Sequence, residues 1–275
     1  MDRDVLLVGL VALVCGTLAW SLAGLRAGRG DGPAWLRERR AWRTVIAPLA
    51  VVACGSTLLV GWALQEPATS DEHLAPLAWV CALLVIVLWL RAGVRFVQAI
   101  VARPAAPLAV VGILRPRVVL DPRLERVLDP AVLVAGLAHE AAHVRHRDPL
   151  RIALGGLATD LQWPWRRPET RLAAWRVALE EARDDEAIAG GIAAEDLALA
   201  IVGAARFATG HGGAALAGDH AIVRRIERLL DGAPRGLPPR RRGGLVLLAM
   251  ILVASLMIGL TLGDDLVRLL PGVLG

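Results

Sequence analysis

The chain has 275 residues, 56% of them hydrophobic, and a mean hydropathy of +0.54, more apolar than an ordinary water-soluble protein and suggestive of membrane spans. Its net charge of +5 is carried by arginine with no lysine, aromatic residues make up only 4%, and no arginine patch is interleaved with stacking aromatics, so direct nucleic-acid binding is not expected. Cys15, Cys54 and Cys81 all fall in apolar runs and read as small buried hydrophobes rather than disulfide partners or metal ligands.

Val5 to Leu25 is free of charge and long enough to cross a bilayer, which takes about 20 helical residues. The preceding Met1-Asp2-Arg3-Asp4 lacks the net positive charge of a signal peptide, so the run is expected to be a retained span. Arginines 26, 29, 37, 39, 40 and 43 then face only Asp31 and Glu38, and the positive-inside rule places this loop in the cytoplasm. Spans at 44–64 and 74–90 follow, separated by an acidic connection bearing Glu66, Asp71 and Glu72. Residues 104–242 contain no comparable run and are expected to form one compact cytoplasmic domain. The last apolar run, Leu245 to Leu262, lies between Arg240-Arg241-Arg242 and Asp264-Asp265. The expected order is therefore three spans in 1–103, a domain in 104–242, and a fourth span with a short tail in 243–275. Both termini would lie outside a multi-pass cell-membrane protein, with the lipid bilayer as one partner.

Within the domain, Leu108 to Val111 and Arg117 to Leu120 are short β-branched runs separated by Gly112 and Pro116, and they read as a hairpin or edge strands. Such a pair packs over a helix or, less simply, holds an extended peptide by strand addition. Pro130 to Arg147 has helical periodicity, with Asp129 as its N-cap. Inside it stands His139-Glu140-Ala141-Ala142-His143, an HExxH sequence. On a helix the two imidazoles lie one turn apart, about 6 Å along the axis, where both can grip one Zn²⁺. Glu140 then stands within reach of a water at the metal as general base. His146 is about 10 Å along the axis from His139 and cannot close the same site from one straight helix. His73 and His211 read as solvated. Leu150 to Gln162 and Glu169 to Ala189 look helical, broken at Trp163-Pro164-Trp165 and closed by Gly190-Gly191.

A tetrahedral catalytic zinc needs a third protein ligand and an open position. In Glu180-Glu181-Ala182-Arg183-Asp184-Asp185 a glutamate and an aspartate four residues apart share a helical face. The glutamate can ligate, and the aspartate can accept the free N–H of a ligand histidine. The spacing fits twice, as Glu180/Asp184 and as Glu181/Asp185.

The order of three apolar runs, the tract 112–120, the segment His139 to Asp148, Glu180 to Asp185, Arg225-Ile226 and a final apolar run resembles the BlaR/MecR family of membrane-embedded zinc peptidases. The resemblance implies a mostly α polytopic protein with four transmembrane helices. It also implies a zincin-like α+β domain of gluzincin type between the third and fourth. It implies one zinc per chain on His139, His143 and Glu180, with Glu140 as the catalytic base and Asp184 as the partner of a ligand. Glu181/Asp185 is the fallback register, because Arg183 stands where the family often has cysteine or alanine. His220, ahead of Arg225-Ile226, is a candidate transition-state contact. The implied function is cleavage of a cytoplasmic protein, a BlaI/MecI-like transcriptional repressor, in signal transduction. The family's external penicillin-binding sensor is not expected here, since only a short tail follows the fourth expected span. Two other readings share these residues: a membrane zinc peptidase of CAAX-processing or quality-control type, and a non-catalytic membrane adaptor that has kept the fold.

Overall fold

The computed structural model describes residues 32–63, 76–101, 106–210, 219–232, 253, 254 and 257. Among them are eight helices and one two-stranded sheet, in the order α1 (Ala34–Ala63), α2 (Pro76–Val101), β1 (Leu108–Val111), β2 (Arg117–Leu120), α3 (Pro122–Val127), α4 (Pro130–His146), α5 (Asp148–Asp160), α6 (Arg167–Ala189), α7 (Ala194–Gly210) and α8 (Asp219–Leu230).

The hairpin forms where its composition places it. The strands pair antiparallel, with Leu108 opposite Leu120 and Val111 opposite Arg117. Gly112 turns the chain at φ +89°, and a Cβ there would lie 2.8 Å from the Arg115 carbonyl oxygen, so only glycine fits. The sheet packs on α4, and Gly136 permits the approach: a Cβ at that position would meet the Leu108 side chain at 2.9 Å. Two aspartates start the next two helices. Asp121 accepts from the Arg123 N–H at 2.8 Å and Asp129 from the Ala131 N–H at 2.9 Å, each followed by a proline at the first helical position.

At the end of α4, Arg147 takes the left-handed conformation, φ 53° and ψ 43°. It is the one non-glycine residue with positive φ among those described. This single residue closes α4 and opens α5, so the chain reverses within one step and Asp148 returns towards the last turn of α4.

Three apolar clusters hold the helices together. Ala135, Ala187, Leu197, Ala198 and Leu229 join α4, α6, α7 and α8. Val45 of α1 packs with Trp175 and Leu179 of α6, flanked by Trp42, Ile152 and Leu172. Leu88 and Ala92 of α2 pack with Leu161, just beyond α5.

The four-span architecture does not stand. Among the described residues, no helix is long and apolar enough to cross a membrane. The expected 44–64 span falls within α1, whose first half carries Arg37, Glu38, Arg39, Arg40 and Arg43 and whose apolar Val45 is spent on Trp175 and Leu179. The expected 74–90 span falls within α2, which runs on through Arg91 and Arg95. Both arginines pair with Asp160 of α5, at 3.2 and 2.8 Å. Apolar side chains of α2, Leu83, Leu84 and Leu90 among them, remain exposed. The run 5–25 and nearly all of 245–262 lie outside the described residues. The multi-pass membrane location, and the inside–outside placement of the termini and of the domain, rested on those four spans and are corrected with them. Mostly helical character remains, with one small sheet.

Candidate metal centre

His139 and His143 project from one face of α4, both 7% exposed. Their Nε2 atoms face each other at 3.1 Å, with the rings edge to face. Glu180 of α6 reaches between them, its Oε2 3.3 Å from His139 Nε2 and its Oε1 3.7 Å from His143 Nε2. These three residues can hold a metal ion, because one donor atom from each lies within 4.8 Å of the others. The Glu180 side chain keeps 34% exposure, so the group is reachable from solvent on that side.

The other nitrogen of each ring is also occupied. Asp148 Oδ2 lies 2.9 Å from His143 Nδ1. Asp184 Oδ1 lies 3.0 Å from His139 Nδ1. A carboxylate at Nδ1 favours the tautomer that presents the Nε2 lone pair, which is the arrangement of ligand histidines. The donor set can therefore hold a metal ion.

Arginines hold both aspartates. Arg225 of α8 donates to Asp184 through Nε and Nη2, at 3.0 and 2.8 Å, and its Nη1 lies 3.1 Å from Glu180 Oε2. Arg183 of α6 donates to Asp148 through Nε and Nη2, at 2.5 and 2.9 Å. Arg151 adds a further bond to Asp148 Oδ1 at 3.0 Å. The result is a histidine–aspartate–arginine chain on each side of the centre.

These contacts set the protonation states. Burial opposes charge on His139, but Asp184 and Glu180 outweigh it and raise the imidazole to a pKa of about 10. His143 is also raised, burial being outweighed by Asp148 and Glu180. Burial would likewise raise Glu180, yet His139, His143 and Arg225 hold its carboxyl well below the usual range. The pocket thus favours positive charge between these side chains, and a cation competes there with protons. Burial pushes the Glu140 carboxyl up, against the pull of both histidines.

The alternative register points elsewhere. Glu181 binds Arg37 of α1 at 2.6 Å, and Asp185 binds Arg228 of α8 at 2.6 and 2.7 Å. His146 bonds Glu186 at 2.8 Å, away from the group. His220 falls in the first turn of α8, and its side chain lies outside the described residues, as do His73 and His211. Asp148 and Arg225 stand in the motif order that carried the resemblance, and Arg183 as a departure from it, but none of the three was given a role at the metal. Asp148 was findable as a carboxylate five residues after a ligand histidine, just past a helix end; the contacts of the two arginines carried no local signal.

Compared with known proteins, the chain matches no family model, no curated protein and no solved structure.

Proposed function

We propose that this chain is a one-zinc endopeptidase, and the observation that carries the reading is the convergence of His139, His143 and Glu180 beside Glu140. A zinc ion on these donors supplies Lewis acidity to a water and to a scissile carbonyl. Glu140 accepts a proton from the attacking water and delivers it to the leaving amine. Its raised pKa suits a base that must also act as an acid near neutral pH. Asp148 and Asp184 keep the imidazoles turned towards the metal, and Arg225 keeps Glu180 ionised. The hairpin against α4 offers a strand edge on which an extended peptide could lie. The order of motifs favours a peptidase of BlaR/MecR type, with a repressor of BlaI/MecI type as its protein substrate.

The test pairs metal content with cleavage. Wild type and Glu140→Gln are purified, assayed for zinc, and each is co-expressed with a repressor of BlaI/MecI type. Both forms should carry about one zinc per chain, and repressor cleavage should fall at least about 100-fold in Glu140→Gln. Absence of zinc from both, or equal cleavage by both, refutes the reading.

A further inference from the structure

The Asp148 side of the centre does not end at Asp148. Arg151 bridges it to α1: Nη1 donates to Asp148 Oδ1, and Nη2 donates to Oε1 of Glu38, a residue more than a hundred positions upstream of His143. The same Glu38 oxygen accepts the indole N–H of Trp175 at 3.0 Å. Trp175 has no exposed surface and Glu38 has 8%. The Arg151 guanidinium lies over Trp42 at 4.8 Å and over Trp175 at 5.5 Å. It is therefore held at both ends by carboxylates and packed on one side against two indoles. A guanidinium so confined has little rotational freedom, and its direction is passed to the carboxylate it bonds.

We infer that Glu38 is a positioning residue of the metal centre: through Arg151 it orients Asp148, and Asp148 orients the His143 ring. The inference rests on the peptidase reading only in taking His143 as a ligand. Asp148 receives four bonds, from His143, Arg151 and twice from Arg183. Arg183 alone leaves one edge of the carboxylate unopposed, and the Arg151 bond fixes its tilt. Loss of Glu38 releases Arg151 towards solvent and lets Asp148 follow Arg183. The His143 Nδ1 contact then lengthens or turns, and Nε2 leaves the line it shares with His139 and Glu180. Arg37, the neighbour of Glu38, grips Glu181 beside the ligand Glu180, so the same turn of α1 reaches α5, which carries Asp148 and Arg151, and α6, which carries Glu180.

Zinc affinity by chelator competition and the visible absorption spectrum of the Co²⁺ form test this on the full chain. Partners of ligand histidines typically contribute about 10–100-fold in metal affinity. Glu38 acts one bond further out, so Glu38→Ala is expected to bind zinc about tenfold more weakly and to shift the Co²⁺ bands. Glu38→Gln keeps an oxygen that accepts from both Arg151 and Trp175, and it should recover most of the loss and the wild-type spectrum. Unchanged affinity and spectrum in Glu38→Ala overturn the inference, even if its melting temperature falls, because Glu38 then serves packing alone. If the alanine variant does not fold, Arg151→Lys replaces it, since one ammonium cannot span both carboxylates. A several-fold weaker affinity with a shifted spectrum supports the link, and wild-type values overturn it. Wild-type protein that binds no metal removes the peptidase reading together with this one, whereas metal-loaded wild type with indifferent variants removes this one alone.

Discussion

At the scale of residues, the centre is a balance of buried charge. His139 carries a proton in the metal-free chain because Asp184 and Glu180 surround it, although burial favours the neutral ring. Zinc binds the neutral ring, so metal uptake releases that proton. Affinity for zinc should therefore rise with pH up to about 10 and level off above it. The metal-free protein should behave oppositely. The raised pKa stabilises the folded state fully below about 6.5, and this contribution is lost as pH rises through about 10. Calorimetric titration with zinc across this range, in two buffers of different ionisation heat, counts the protons released. No proton release, with affinity flat in pH, refutes a protonated His139.

At the scale of elements, the left-handed Arg147 decides where Asp148 stands. A helix that ran on past His146 would carry Asp148 beyond the His143 ring, and the tight reversal brings it back to 2.9 Å. Any L side chain at φ 53° is strained by about 1–2 kcal/mol, which Arg147 already bears, and a β-branched one is strained further. Arg147→Val should therefore destabilise the chain in denaturant unfolding by the added strain of a branched Cβ. It should also weaken metal binding, because relief of the strain moves Asp148. Unaltered stability would mean that the α4–α5 junction adapts without cost. The hairpin and the HExxH helix were legible in the sequence because their signals are local: alternation of β-branched residues, an aspartate cap followed by proline, and periodic apolar positions. The choice between Glu180 and Glu181 was not legible in the spacing and came only from the resemblance. Both satisfy the four-residue spacing, and only the rotation of α6 about its axis, set by packing Trp175 and Leu179 against α1, separates them.

At the scale of the whole molecule, α1 is part of the framework of the centre rather than a separate span. Its Val45 shares a cluster with α6, and its Glu38 and Arg37 reach α5 and α6. Trp175 lies at the middle of this contact, fully buried, ring to ring with Trp42 at 4.8 Å. Trp175→Ala should cost about 3–5 kcal/mol, read as a lowered melting temperature. A loss under about 1 kcal/mol would show that α1 and α6 are held by other contacts.

By itself, the sequence determined the residues able to act on a metal, their helical register on α4, the hairpin that precedes them and the acidic helix that follows. Each of these depends on neighbours within a few positions. The tertiary structure brings Glu180 rather than Glu181 to the histidines, and Asp184 to His139, as the resemblance implied, and it alone decided Asp148 and Arg183 behind His143, Arg225 behind Asp184, and Glu38 behind Arg151. The same holds for the apolar runs at 44–64 and 74–90. Apolar length alone does not make a bilayer span: in this chain Val45 of α1 packs on Trp175 and Leu179, Arg91 and Arg95 of α2 pair with Asp160, and Leu83, Leu84 and Leu90 of α2 stay exposed. The reason is common to both cases: periodicity records which face of an element is apolar or acidic, while the identity of what meets that face depends on residues far away in the chain.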